Sequence, residues 1–413
     1  MNKLIKKKYA LIVGGFGYKN VGDEAQLSGN LSLWKKKKPN TKIIVLSPDP
    51  NYTKKIHKVN SLLASRVRFF KSNKKSYFMK SNLEFKIKFI FIYFLLTINA
   101  YLIKKKLPTL FGYGKEFILL IRNSTCVHFS GGGYLTGATR SRLWDGLLIM
   151  QICQIVKTPY FLTGQTIGLT KGMFENYLIK KGLDKSKLIS TRDKTNSIKD
   201  LGNLKVKAPI FNSYDDAFYS KKINYKIKDK KKYFLLHYHE WNKNKIVLKK
   251  SKKIIIDIIN FLKNNYTEKI YFLPMTPQDK FDQEKLVKKN NLDIKILNYK
   301  FNFKYVRKII SNSKMVISLK HHPIIFSCYE NIPSIAISFD KYYIRKNYGA
   351  LDNYNLKKFS INGLKISKKK INITINLAYK NTKLIKKKLL KKNNIIKKRI
   401  NEIFNHAIKK KIL

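Results

Sequence analysis

An apolar run from Tyr9 to Val13 ends abruptly in Gly14-Gly15-Phe16-Gly17, and this junction limits the chain's possible folds more than any other stretch. The run reads as a fully buried strand. Glycines at its end let the backbone take positive φ and let a ligand or the next element come close. After Gly22-Asp23-Glu24, the residues Ala25, Leu27, Leu31 and Trp34 recur near helical spacing. Strand, glycine turn and helix N-terminus together form the phosphate and anion site of parallel α/β sheets. A bare strand-to-helix turn would use the same residues, but five of the chain's 19 glycines fall between Gly14 and Gly29. Gly15-x-Gly17 is not followed by a glycine three positions on, so no dinucleotide fingerprint is present, and no Gly-Lys-Ser/Thr completes a Walker loop.

The same pattern repeats. Thr41–Ser47 is a second short strand, closed by Pro48-Asp49-Pro50, and completes a βαβ unit. Cys126–Phe129 is another, followed by Gly131, Gly132 and Gly133. Strands are expected at Thr158–Thr163, ending in Gly164, and at Leu188–Thr191, ending in Arg192-Asp193. After a basic stretch, strands and helices alternate again from Tyr233 to Asp340. A loop is expected over 275–282, and a Lys320-His321-His322-Pro323 turn before a short helix. At 413 residues two domains are the default. The fold class is α/β: two Rossmann-like parallel-sheet domains facing a cleft. They are placed at 1–220 and 233–350, joined by a basic linker at 221–232 and followed by a Lys-rich region with packing helices at 351–413.

The formal charge of +63 rests on lysine, because only nine of the 87 basic residues are arginine. Nucleic-acid readers favour arginine for bidentate contacts. A Lys-, Asn- and Ile-rich chain poor in arginine instead matches codon bias in an AT-rich genome, and no specific nucleic acid is expected. The charge still favours anionic substrates and anionic membrane surfaces. Phe85–Ile103 is the most apolar segment. Its uninterrupted part, Phe89–Ile103, would span about 22 Å as a helix, short of the ~30 Å hydrocarbon core. Lysines bracket it, so it is expected on the domain or in the membrane interface, with peripheral contact to an anionic membrane; a true span is the remaining alternative. Cys126, Cys153 and Cys328 are far apart in apolar surroundings and read as reduced core residues. The N-terminus leaves no room for a signal peptide before the first strand, and a cytoplasmic protein, at or near the inner face of the membrane, is expected.

Arg192, rare in type and placed at a strand's end, suits a carboxylate or phosphate, unless it only pairs with Asp193. His321 and His322, with Lys320 beside them, can donate to an anion or act as general acid. His237-x-His239 has metal-ligand spacing but no third ligand apparent nearby, and neither a zinc signature nor an EF-hand appears, so no metal or other cofactor is expected. Asp279 and Asp282, in the expected loop, could contact a polar acceptor. The candidate catalytic set is His322, Lys320 and Arg192. The candidate substrate-binding set is Gly15, Gly17, Asn20, Gly22, Asp23, Gly131, Gly132, Gly133, Asp279 and His321.

These pieces, in this order, resemble the polysaccharide pyruvyl transferase family. The matching residues are Gly17 to Glu24, Ser130-Gly131-Gly132-Gly133, Arg192-Asp193 with Ser197 and Leu201-Gly202, Asp215-Asp216-Ala217-Phe218, Pro274 to Asp282, and Ser318 to His322 with Ile325-Phe326 and Pro333. The resemblance implies a two-domain, glycosyltransferase-like enzyme. It would transfer a pyruvyl group from phosphoenolpyruvate to a sugar of a cell-surface glycan or its lipid-linked precursor. It also implies that Arg192 binds the donor's carboxylate or phosphate, and that His322 is the general acid or phosphate ligand. Lys320 stands where the family usually has arginine; lysine keeps the charge and loses the bidentate fork. Two other readings fit the residues: a nucleotide-sugar glycosyltransferase of similar fold, and a non-catalytic protein binding anions, nucleic acid or lipid.

Overall fold

The computed structural model describes residues 9–70, 83–168, 170–223, 232–240 and 244–410. Its described strands form two all-parallel sheets. The first holds β1 (Tyr9–Val13), β2 (Lys42–Ser47), β3 (Asn60–Leu63), β4 (Ser124–Phe129), β5 (Gly132–Leu135), β6 (Tyr160–Ile167), β7 (Ile189–Thr191) and β8 (Ile210–Asn212). Their order is β3-β2-β1-β4-β6-β7-β8, with β5 beside β6. The second holds β9 (Tyr233–His237), β10 (Ile270–Phe272), β11 (Lys295–Ile296), β12 (Ser313–Ser318), β13 (Ser334–Ser338) and β14 (Ser360–Asn362), ordered β11-β10-β9-β12-β13-β14. Each sheet starts in its middle, winds outward one way, then crosses back to wind the other. Ligands bind at the carboxyl ends of the two strands where that reversal occurs. Here those pairs are β1/β4 and β9/β12.

Continuous burial explains the strand sequences. Every residue of β1 and β9 is buried, because helices cover both faces of a parallel sheet. Register sets the rims level. Val13 pairs with Phe129 and Ser130 N–H donates to Val13 O (2.8 Å), so the two glycine turns start side by side. In the second sheet His237 pairs with Ser318, and Leu319 N–H donates to His237 O (3.2 Å).

Two elements differ from the sequence expectation. β6 does not stop at Gly164 but runs to Ile167. Gly164 has φ +53°, and the pairing of β6 with β7 shifts register between Leu162 and Gln165, so the glycine makes a bulge from which the strand resumes. The expected loop at 275–282 is the start of the helix Pro277–Lys289. Thr276 caps it by accepting from Asp279 N–H, and Pro277 fills the first helical position, where no N–H is needed. Most of the expected linker, residues 224–231, and the N-terminal residues 1–8 lie outside the described residues.

Among the described residues, helices from both ends of the chain join the halves. The first helix, Val21–Lys37, belongs to the first domain by sequence. Val21 N–H nevertheless donates to Met275 O (3.0 Å), and Val21 and Ala25 pack with Phe303 and Phe326 of the second domain. The helix Lys341–Asp352 sits against the segment after Arg192: Arg345 binds Asp200 and Ile167 O, and Asn353 donates to Arg192 O (2.8 Å). The last helix, Thr382–Lys409, returns to the first domain, where Phe404 meets His128 and His406 meets Phe211.

Candidate active site

Asp215 and Asp216 are adjacent in sequence and divide two tasks. Asp216 Oδ2 accepts from Gly131 N–H (2.7 Å), Asn30 Nδ2 (2.7 Å) and Thr163 Oγ1 (2.6 Å). It thereby ties the second glycine turn to the first helix and to β6. Burial pushes its carboxyl up to about 6, against those hydrogen bonds. Thr163 continues the network to His128 (2.7 Å), whose Nδ1 accepts from Trp34 Nε1 (3.0 Å). Since Trp34 can only donate, the neutral ring carries its proton on Nε2, facing Thr163. Asp215 turns the other way. It accepts from Arg192 Nη1 (2.8 Å) and from Gln26 Nε2 (2.8 Å), and it lies 4.0 Å from His322 Nε2. Burial alone would raise the Asp215 carboxyl, but Arg192 and His322 hold it below the usual range.

Arg192 is therefore paired with Asp215, not Asp193. Asp193 instead accepts from Ser197 N–H (2.7 Å) at the start of the next helix. Arg192 Nε donates to Thr166 Oγ1 (2.6 Å), which leaves Nη2 buried without a partner. That nitrogen points past Gly133: a Cβ built there would lie 3.3 Å from Arg192 Nη2 and 2.3 Å from Tyr342 Oη. Lys346 Nζ is 3.2 Å from Tyr342 Oη and lies over that ring. Burial, and then Arg192, depress the Lys346 amine well below the usual lysine range.

The opposite wall is the helix His321–Tyr329, whose first turn has no side-chain cap. His321 Nδ1 meets Asn347 Oδ1 (3.2 Å), and the Nε2 atoms of His321 and His322 are both buried without hydrogen-bond partners. Burial lowers both rings; His322 falls to about 4 despite Asp215 and Asp23, and Arg192 and Lys346 push in the same direction. His322 also packs on the first helix: a Cβ at Gly22 would lie 2.0 Å from its Nδ1. Arginine, lysine, two imidazoles and a helix N-terminus thus converge where the two switch points face each other. This arrangement can hold a small, highly charged anion.

The remaining predicted residues take other places. Asn20 caps the first helix by accepting from Gly22 N–H (3.1 Å). Gly17 has φ +87° and its N–H donates to Glu24 (2.8 Å); it shapes the turn. Gly15 lies between Arg142 and Asp23, at 3.0 and 3.4 Å from its would-be Cβ. Gly132 has Tyr134 against it in the same way. Lys320 does not join these cleft nitrogens: its ammonium donates to both Asp279 oxygens (2.9 and 2.8 Å). Asp279 also faces His237 Nε2 (3.0 Å) and accepts from Met275 N–H (3.0 Å). Burial would raise it, but Lys320 and His237 hold it far below the carboxylate range. Asp279 is the third group the His237-x-His239 pair lacked in sequence: one donor atom from each of the three lies within 4.8 Å of the others. Those atoms could hold a divalent ion, but Lys320 already supplies a cation to the carboxylate. Lys346 and Tyr342 were not foreseen. Lys346 carries no distinguishing mark among so many lysines; the only local signal is Asp340, which caps their helix by accepting from Tyr343 N–H (2.8 Å).

Two facing parallel-sheet domains define a two-domain, GT-B-like α/β fold, and solved structures share it. The chain is similar to a UDP-GlcNAc 2-epimerase from Neisseria meningitidis bound to UDP-GlcNAc (TM-score 0.54, 12% identity, covering 95% of this chain and 100% of that one). It is also similar to a glycosyltransferase from Rickettsia africae (0.53, 14%, 98% and 99%) and to UGT73P12 from Glycyrrhiza uralensis (0.56, 7%, 98% and 96%). No curated protein matches it in sequence. The chain belongs to the polysaccharide pyruvyl transferase family, whose model matches residues 20–341. Family and fold together make it a polysaccharide-modifying transferase.

Proposed function

We propose that the protein transfers a pyruvyl group from phosphoenolpyruvate to two hydroxyls of a glycan sugar, or of its lipid-linked precursor, forming a ketal. The observation that carries this reading is the set of buried, unpartnered nitrogens, Arg192 Nη2 with His321 and His322 Nε2, beside the half-buried Lys346. A carboxylate and a phosphate on one small donor would satisfy all of them. Burial keeps the two imidazoles neutral and depresses the amine, and a bound trianion would draw protons onto them.

In this scheme Arg192 and Lys346 hold the donor's carboxylate and phosphate, and His321 presents its helix N-terminus to the phosphate. His322, protonated beside the bound anion, gives its proton to C3 of the enol. C2 becomes electrophilic, and the first hydroxyl oxygen bonds to it as Asp23 takes that hydroxyl's proton. The C2–O bond to phosphate then breaks. The second hydroxyl oxygen closes the ketal, and its proton leaves with phosphate. Passing a proton from Asp23 to His322 restores the start. Fixed charges in a closed cleft stabilise the departing phosphate. Lys320 acts from behind by holding Asp279 and the turn that carries the histidines. Such a donor and the three buried, reduced thiols suit the cytoplasm.

Binding and turnover test the reading together. Phosphoenolpyruvate should raise the melting temperature of the wild type but not of Arg192→Ala, because a ligand of the native state stabilises by mass action. Phosphate release should require both phosphoenolpyruvate and a saccharide. The similarity to nucleotide-sugar enzymes supplies the competing reading: a shift with a UDP-sugar and none with phosphoenolpyruvate would establish a glycosyltransferase instead.

A further inference from the structure

Among the described residues one helix is long and apolar enough to cross a membrane, with its apolar window at Ile87–Lys104. It belongs to the helix Leu83–Lys104, whose 22 residues give a length of about 33 Å. From Phe89 to Ile103 the helix carries no charged residue, yet it is buried on one side only. Phe89, Ile92, Leu96, Ala100 and Ile103 enter the core of the first domain. Ile87, Ile90, Phe91, Phe94, Ile98 and Tyr101 form a second stripe at helical spacing, facing solvent, with Phe91 65% and Phe94 57% exposed. The patch extends past the helix. Phe89 and Tyr93 pack on Trp144, and Trp144 on Phe174, which is itself 61% exposed next to the exposed Met173. On the other side the loop tip Phe111 is 94% exposed. Soluble monomers rarely present contiguous apolar surface of this kind, and it marks an interaction site.

Charge identifies the occupant. From Ile87 to Lys115 the sequence holds no carboxylate, and its charged residues are Lys88, Lys104, Lys105, Lys106 and Lys115, all exposed. Apolar side chains flanked by lysines match the acyl boundary and headgroups of an anionic bilayer. A second copy docking face to face would set these lysines against one another. Crossing the bilayer would withdraw the buried stripe from the core. It would also strip Asn99, which is fully buried and exchanges hydrogen bonds with Leu110 N–H (2.8 Å), Leu110 O (3.2 Å) and Tyr113 O (2.8 Å).

We infer that this stripe is a monotopic docking surface for an anionic phospholipid bilayer, lying in the interface without spanning it. The inference is independent of the donor's identity. A protein seated this way meets acceptors carried on lipid.

The test is co-sedimentation of the full chain with vesicles of phosphatidylcholine alone, or mixed with phosphatidylglycerol in equal parts. The wild type should bind the mixed vesicles and not the neutral ones, and alkaline carbonate should release it. Phe91→Ser with Phe94→Ser should weaken binding at least tenfold while leaving the circular dichroism melt unchanged, because both rings are exposed. Three results would overturn the inference. The wild type could ignore anionic vesicles and form a dimer that the double variant loses, which would make the occupant a second copy. The double variant could bind as the wild type does, which would leave only charge. Carbonate could fail to release the protein, which would make the helix a span.

Discussion

Lys320 shows how little a residue's identity says about its task. Beside two histidines at a strand end it reads as a member of the catalytic set, yet its ammonium is spent on Asp279. Both groups are buried, so removing one partner strands a charge in a low-dielectric site. Lys320→Met should therefore destabilise the protein by about 3 kcal/mol or more, from the general cost of breaking buried ion pairs. Urea unfolding at neutral pH measures this. Lys320→Arg keeps the charge and should retain most of the stability; equal midpoints for Met and wild type would show the pair to be unimportant. By contrast Arg192 keeps one nitrogen without a hydrogen-bond partner after its pairing with Asp215, and that donor is the one the proposed donor site draws on. Rarity made Arg192 legible. Lys346, half-buried beside Tyr342, was hidden because lysine is everywhere in this sequence.

Two helices meet without a side chain between them where the first helix passes His322. Gly22 lies at that crossing, and any Cβ there would fall inside the imidazole, 2.0 Å from Nδ1. The same turn carries the Val21–Met275 backbone bond between the domains. Gly22→Ala should push His322 off its position, and misplacement by about 1 Å commonly costs ~100-fold in rate. The expected outcome is a kcat/KM for ketal formation lower by that order, with His322→Ala adding little on top because the ring is already displaced. An alanine variant with full activity would mean that the helices separate freely. Glycine-rich turns were readable as elements because strand, glycine and helix follow one another within some twenty residues. Which glycine touches a ligand and which touches a neighbouring ring was not readable, since His322 is 300 positions away.

Across the molecule, five of the seven histidines, His128, His237, His239, His321 and His322, are buried with pKa values lowered chiefly by that burial, His128 to about 3 and His322 to about 4. In the unfolded chain they titrate near ~6.5. Between that value and their native ones the unfolded state binds more protons, so stability is full above about pH 6.5 and falls as pH drops. Burial also raises the carboxyls of Asp145, Asp216, Asp282 and Asp340, Asp216 to about 6, and these work against the trend, while the lowered carboxyls of Asp184, Asp215, Glu240 and Asp279 work with it and with the five imidazoles. Urea midpoints should decline steadily from pH 7 to 4.5; a flat or rising profile would show these rings to be solvated. The sequence by itself determined the parallel α/β halves, the strand-end positions of Arg192 and His321-His322, and the apolar helix, because periodicity, glycine turns and rare residue types are local signals. Tertiary structure alone decided that Asp215 and Asp216 face opposite ways, that Lys320 belongs to Asp279, that Lys346 enters the cleft, and that one face of the apolar helix stays uncovered. Those outcomes depend on which distant segments the two sheets bring within a few ångströms, where burial and charge pairing set each side chain's state.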